Sequence, residues 1–278
     1  MSKTQIITLL TDFGLSDVYV GVMKGVIAQI NPHLTVIDLT HKIPPQNIAA
    51  GRFCLMNAYP YFPPNTVHIA VVDPGVGSNR RSVAIACANG FLVGPDNGLF
   101  SGILSHSPPI AAVELTNPEY WRTPEPSMTF HGRDIFAAVG AHLASGVPLA
   151  RLGAAIAPDT LIELALPAYT LTEGSIEGCI QYIDRFGNLI TNIPGSLVRG
   201  KRWSAVVGTQ GSQPLPVSEA LVVPSAFTYA ESQPSQAVAL IGSDGWVEIA
   251  VAGGNAQFML QLEVGAEVRV IFSEEKNG

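Results

Sequence analysis

The first half of this 278-residue chain alternates short runs of uninterrupted apolar residues with helix-like segments, and that alternation restricts it to an α/β layer arrangement. Residues 6–10 read as a buried strand broken by Thr11-Asp12-Phe13-Gly14. Ser16 or Asp17 can cap a helix running to about residue 30, with Val18, Val22, Val26 and Ile30 on one face and Asn31-Pro32 as its stop. Strands follow at 34–39, 67–72, 82–87, 91–93 and 110–115, with helices near 47–58 and 133–145. The pattern predicts a largely parallel sheet.

Near residues 158–173 the pattern changes. Beyond it, helical periodicity is scarce and short β-type runs recur between turn residues, at 177–183, 188–193, 203–207, 237–241, 246–251 and 267–272. This predicts a smaller all-β, barrel-like domain, with the division at 1–165 and 166–278. The length accommodates two such domains.

One loop makes poor core material. Asp73-Pro74-Gly75-Val76-Gly77-Ser78-Asn79-Arg80-Arg81 lies between two of the buried runs. Pro74 removes a ladder hydrogen bond, and Gly75 and Gly77 allow a turn and close approach to a ligand. A carboxylate and a guanidinium seven residues apart on such a loop can face one small space. The loop is not a triphosphate-binding loop, for it lacks the Gly-Lys-Ser/Thr ending. Nor is it a dinucleotide fingerprint, because the third glycine and the following helix are missing.

Further polar clusters fall where strands end: Thr11 to Asp17, Asp96-Asn97, and Thr129-Phe130-His131-Gly132-Arg133-Asp134. Ligands of open α/β sheets bind at the carboxyl ends of strands, so these clusters can line one crevice. Each also has an ordinary reading: Asp12 and Asp17 as helix caps, Asp96-Asn97-Gly98 as a turn, His131 as a structural histidine. His33, His41, His68, His106 and His142 belong to no cluster and read as structural or exposed. A dimetal site from Asp12, Asp73, Asp96 and His131 is opposed by the two arginines, because a cation beside a metal is unfavourable without an anion between them.

Composition narrows the function classes. The net charge of −7 argues against a nucleic-acid partner, which selects a basic face. Hydrophobic residues are 47% and charged residues 13%, which suits a protein that buries surface in an oligomer. No apolar run approaches the ~18 residues of a membrane span. Residues 1–5 lack the form of a signal peptide, so the expected location is the cytoplasm. Cys54, Cys87 and Cys179 are scattered in apolar contexts and read as reduced, buried thiols.

Five motifs occur in order: Thr11-Asp12-Phe13-Gly14, Val72-Asp73-Pro74-Gly75-Val76-Gly77, Gly94-Pro95-Asp96-Asn97-Gly98, Thr129-Phe130-His131-Gly132-Arg133-Asp134 and Asp184-Arg185-Phe186-Gly187-Asn188. Together they resemble the S-adenosyl-L-methionine (SAM) hydroxide adenosyltransferase family, adenosine-forming hydrolases related to the SAM-dependent fluorinase and chlorinase. The resemblance runs from Ile6 to Phe272. It implies an N-terminal α/β domain, a C-terminal β-barrel and a homotrimer, with SAM between the N-terminal domain of one subunit and the C-terminal domain of the next. The implied reaction is SAM plus water giving adenosine and L-methionine, with SAM as substrate and neither cofactor nor metal.

The family's Asp–Arg–His triad matches Asp73, Arg80 and His131, which the related halogenases lack. By the same resemblance Asp12 holds the ribose hydroxyls, Asp17 lies near the methionine amine, Phe186 and Asn188 bind adenine, and Ser243 contacts the methionine carboxylate. Glu248 and Asn255-Ala256 lie in the same C-terminal region. The halogenases carry an arginine after the serine, where this chain has Asp244. Two alternatives remain at this level: a halogenase-like adenosyltransferase and a non-catalytic SAM or adenosine sensor.

Overall fold

The computed structural model describes residues 6–165, 168–208 and 220–273. The chain divides into two compact units, residues 1–164 and 165–278.

In the first unit the strands are β1 (Ile6–Thr11), β2 (Thr35–Thr40), β3 (Thr66–Val71), β4 (Ser82–Cys87), β5 (Gly90–Pro95), β6 (Ala111–Glu114) and β7 (Ala154–Ile156). They form one sheet in the order β2-β1-β3-β5-β4-β6-β7. Strands β1, β3 and β4 are buried along nearly their whole length, which is why they read as continuous apolar runs rather than alternating ones. Edge strand β2 is largely exposed and carries Asp38, which accepts a hydrogen bond from Lys24 Nζ at 2.6 Å.

The sheet is mixed. It is parallel from β2 through β1 and β3 to β5, then antiparallel from β5 through β4 and β6 to β7. The reversal follows from connection length. Only Ala88 and Asn89 separate β4 from β5, too few for the crossover that a parallel neighbour needs, so the two form a hairpin.

Helices α1 (Tyr19–Ile30), α2 (Ile48–Ala58), α3 (Ser101–Leu104) and α4 (Ala137–Ala144) flank the sheet, with α1 packed on α4 and α2 on α3. Met23 and Ile27 of α1, Phe136 before α4, and Ile7, Leu9 and Ile69 of the sheet share one core. Helix α1 begins at Tyr19 with Val18 as its cap residue, and no side chain caps it. Val18 has helical dihedrals, and the cap position falls to it rather than to Ser16 or Asp17. Asn47 does cap α2, its side chain accepting the Ala50 N–H at 2.9 Å.

The helix expected over 133–145 opens as a π-turn. Gly132–Phe136 is π-helical and Ala137–Ala144 α-helical, with the Ala137 N–H bonded to the Gly132 carbonyl. Such widened turns are rare and recur at functional sites.

The second unit is a strongly curved antiparallel sheet. Its strands are β8 (Thr170–Thr172), β9 (Ser175–Ile183), β10 (Leu189–Pro194), β11 (Trp203–Val207), β12 (Leu221–Pro224), β13 (Ala237–Ile241), β14 (Trp246–Val251) and β15 (Glu267–Phe272). The order is β12-β11-β15-β9-β10-β14-β13, with β8 on β9. A bridge from Ser225 to Ala239, with the Ala226 N–H on the Ala239 carbonyl at 2.9 Å, joins the two ends into a nearly closed barrel. Ile176, Ile180, Leu189, Trp203, Val247 and Ile249 fill its core. One short helix, α5 (Ala256–Leu260), interrupts the β pattern, capped by Asn255. Among the described residues no helix is long and apolar enough to cross a membrane.

Candidate active site

Strand order fixes where a ligand can enter. The chain passes from β1 to β2 on one side and then to β3 on the other, so neighbouring connections diverge between β1 and β3. Open sheets bind ligands outside the carboxyl ends of strands at this kind of switch point. Thr11 of β1 is in register with Val71 of β3, so Asp12 and Asp73 emerge on the same rim.

The loop after β3 folds back on itself. Gly77 has φ +76°, and a Cβ there would run into the Met128 carbonyl, so only glycine fits. The fold-back brings Arg80 onto Asp73. Its Nε donates to Asp73 Oδ1 at 2.9 Å, and Nη2 donates to Oδ2. The same Nη2 lies 2.9 Å from His131 Nδ1, while Nη1 donates to Ser82 Oγ at 2.7 Å. The guanidinium also sits over the Phe136 ring, 5.3 Å from its centroid. Both charged side chains are nearly buried, at 5% exposure for Asp73 and 9% for Arg80.

A guanidinium only donates, so His131 Nδ1 accepts, and the neutral ring carries its proton on Nε2. Burial and the charge of Arg80 push the His131 pKa below its ordinary value, against the opposing pull of Asp73 and Asp134. The imidazole is therefore neutral at neutral pH.

Arg81 points the other way, as successive side chains of an extended segment do. Its Nε donates to Asp96 Oδ2 at 2.9 Å and its Nη1 to Thr160 Oγ1 at 2.9 Å. Asp96 also accepts the Ile162 N–H at 2.8 Å, and Asn97 donates to the Val72 carbonyl at 2.9 Å. Asp96-Asn97 thus ties down the base of the loop and the segment near residue 160.

Asp12 accepts the Gln46 N–H at 2.7 Å, and Gln46 holds the uncommon φ of 64°. The turn beneath it is fixed by Thr11 Oγ1, which takes the Phe13 N–H at 3.2 Å and lies 2.9 Å from His41 Nδ1. Phe13, Tyr19 and Phe130 form an aromatic cluster with centroids 5.1 to 5.8 Å apart, linking this turn to the residue before His131. Asp17 is exposed just before α1.

The remaining residues named from sequence lie in the second unit. Asp184 Oδ1 accepts the N–H groups of Phe186 and Asn188 at 2.8 and 2.9 Å, and its Oδ2 accepts Asn188 Nδ2 at 3.1 Å. This holds Phe186 out at 74% exposure while Asn188 is buried. Gly187, at φ +84°, packs against the Asn255 amide, and its carbonyl accepts the Gln257 N–H at 2.9 Å. Ser243 and Asp244 are exposed on the turn between β13 and β14. Glu248 is buried and accepts the Tyr229 hydroxyl at 2.7 Å. Burial, opposed by Tyr229 and assisted by Asp184 and Asp244, pushes its pKa up.

Sequence reasoning quoted Asp134 without giving it a role. It is fully buried and bonded to Arg122 and Arg133. Among the described residues no three His, Cys, Asp or Glu side chains are grouped to hold a metal ion.

Comparisons with known proteins bear on this arrangement. Family models for the SAM hydroxide adenosyltransferase N-terminal and C-terminal domains match residues 7–153 and 178–269. A protein named (R)-S-adenosyl-L-methionine hydrolase from Salinispora tropica is 39% identical over 97% of this chain and 99% of its own length. One of the same name from Thermus thermophilus is 40% identical over 94% of this chain and 98% of its own. A fluorinase from an Actinoplanes species is more distant, at 29% identity over 95% and 97%. Among solved structures, an uncharacterized conserved protein from Thermotoga maritima superposes with TM-score 0.87 at 33% identity, covering 95% of this chain and 99% of that one.

Proposed function

The chain belongs to the SAM hydroxide adenosyltransferase family, and on that footing we propose that it hydrolyses SAM to adenosine and L-methionine, with Asp73, Arg80 and His131 activating the water. The observation that carries this reading is the nearly buried Asp73–Arg80–His131 constellation at the β1/β3 rim of a chain whose relatives are named SAM hydrolases.

The chemistry asks little of the leaving group. The water oxygen forms a bond to the ribose C5′, the C5′–S bond breaks, and its electron pair returns sulfur to a neutral thioether. No general acid is needed. The difficult partner is water, a weak nucleophile that must lose a proton as the bond forms. His131 Nδ1 is engaged by Arg80, so the lone pairs left for that proton are those of Asp73, while His131 Nε2–H donates to the water oxygen and orients it. Arg80 holds both groups in place and stabilises the hydroxide character that develops. Assistance of this kind contributes about 10²–10⁴-fold.

Substrate recognition divides between the units. Asp12, one oxygen of which is already placed by the Gln46 N–H, suits the two ribose hydroxyls. Phe186 offers an exposed ring for adenine, and Asn188 offers its amide oxygen, since Nδ2 is committed to Asp184. Asp17 suits the methionine amine and Ser243 its carboxylate. The family resemblance adds a homotrimer in which a neighbouring subunit supplies the second-unit groups, and the three free cysteines suit a reducing cytoplasm.

The test is incubation of purified protein with SAM in halide-free buffer, with products followed by chromatography. Adenosine and methionine in equal amounts support the reading. A 5′-halo-adenosine formed only with added halide, or tight SAM binding without turnover, overturns it.

A further inference from the structure

One buried charge near the triad is not used by the chemistry above. Asp134, two residues into the π-turn, is fully inaccessible to solvent. Its Oδ1 accepts Arg122 Nε at 2.6 Å and Arg133 Nε at 2.7 Å, and its Oδ2 accepts Arg133 Nη2 at 2.7 Å and the Ser127 N–H at 2.9 Å. All four lone-pair sites are filled, so the carboxylate has none left for a substrate or a water proton. Burial alone would raise its pKa, but the bonds from Arg133, Ser127 and Arg122 outweigh burial and hold it well below the usual carboxylate range.

What those four bonds join explains the cost of burying the charge. The Asp134 backbone N–H bonds to the Phe130 carbonyl at 3.2 Å, and its carbonyl accepts the Arg122 N–H at 2.9 Å. Arg133 lies over the Phe130 ring at 5.2 Å. On one side, therefore, the carboxylate clamps the segment 122–127 to the turn that presents His131. On the other, Ser127 precedes Met128, whose carbonyl packs against Gly77 of the loop bearing Asp73 and Arg80. The two chain segments that must meet to form the Arg80–His131 contact are both referenced to this one group.

We propose that Asp134 is a positioning residue for the triad: by holding the π-turn and the 127–130 segment together, it keeps His131 Nδ1 on Arg80. The consequence for catalysis rests on the hydrolase reading; the consequence for His131 geometry does not. A displacement of about 1 Å at reacting groups costs about 10²-fold in rate.

The experiment pairs kinetics with ¹⁵N NMR of the histidine side chains in full-length protein. Asp134→Asn keeps the shape but turns one acceptor oxygen into a donor facing Arg133 together with either Arg122 or Ser127. The expected result is a fall in kcat of about 10²-fold, a KM for SAM within about threefold of wild type, and a His131 Nδ1 resonance that no longer reports a hydrogen-bond acceptor. Arg122→Gln, at a half-exposed side chain, removes one of the four bonds and gives the same changes in weaker form should Asp134→Asn not fold. Folded variants with kcat within about twofold of wild type and an unmoved His131 resonance overturn the proposal. Lower thermal stability with an unmoved resonance also overturns it, for that is a structural role only. If wild-type protein leaves SAM intact, the hydrolase reading fails, while the His131 resonance in Asp134→Asn still decides the positioning claim.

Discussion

Replacing Arg80 by Met should cost stability and activity by separable routes. The substitution keeps much of the side chain's length but removes both donors from Asp73, the donor to Ser82 and the donor to His131. What remains is a carboxylate at 5% exposure with no cation beside it. Removing one partner of a buried pair costs about 3–5 kcal/mol, because the other charge stays desolvated and unpaired. For a unit of this size each kcal/mol lowers Tm by about 2–4 °C, so the expected drop is about 6–20 °C in scanning calorimetry. Removing both charges, in Asp73→Leu/Arg80→Met, should return at least half of that loss, since no buried charge is stranded. Turnover should not return with it and should stay down by about 10²–10⁴-fold, because the proton acceptor is gone. An Arg80→Met protein melting within about 2 °C of wild type would refute the reasoning by showing that Asp73 is solvated.

Three further expectations follow from single positions. Gly77→Ala should lose about 1–2 kcal/mol from its left-handed φ alone and more from contact with the Met128 carbonyl, whereas Gly253→Ala, at φ +69° in open space, should lose only the first part; urea denaturation separates them. His68 is 1% exposed between the rings of Tyr59 and Phe62, and burial pushes its pKa down to about 4. A depressed folded pKa means that its stability contribution is complete above the unfolded value of about 6.5 and is lost as pH falls towards 4, about 3 kcal/mol in all. Denaturation midpoints across that window should show this slope in wild type and a shallower one in His68→Gln; equal slopes would contradict it. Asp12→Ala should raise KM for SAM by about 10–150-fold, the worth of a charge-assisted hydrogen bond, with a smaller change in kcat.

The strands of the first unit were legible because burial on both faces leaves continuous apolar runs such as 67–72 and 82–87. Their direction was not, because a buried run reads the same in either sense; the two-residue link between β4 and β5 was the available signal for the reversal. Ser16 and Asp17 are good caps by type, yet the cap position of α1 falls to Val18, which offers no capping side chain. The π-turn left no trace in periodicity, because α4 is buried nearly all round and offers no apolar stripe whose phase could shift. At the site, the glycine loop announced itself by residue types that no core would select, and Arg80 of that loop meets both Asp73 and, at the start of the π-turn, His131. Spacing alone did not tell Arg80 from Arg81, and only the family resemblance singled out Arg80; the fold of the loop is what sends Arg80 to Asp73 and Arg81 to Asp96. Asp134 stood in the quoted motif, yet nothing in one sequence tells a saturated structural carboxylate from a solvated one.

The central claim is that water attacks C5′ of SAM under the control of Asp73, and isotope labelling tests it most directly. Wild-type protein and Asp73→Asn are incubated with SAM in ¹⁸O-enriched water, and the products are analysed by mass spectrometry. The account requires one ¹⁸O in the adenosine 5′-hydroxyl, none in methionine, and a rate about 10²–10⁴-fold lower for the variant. Methylthioadenosine with ¹⁸O in the amino-acid fragment, or labelled adenosine formed equally fast by Asp73→Asn, would contradict it.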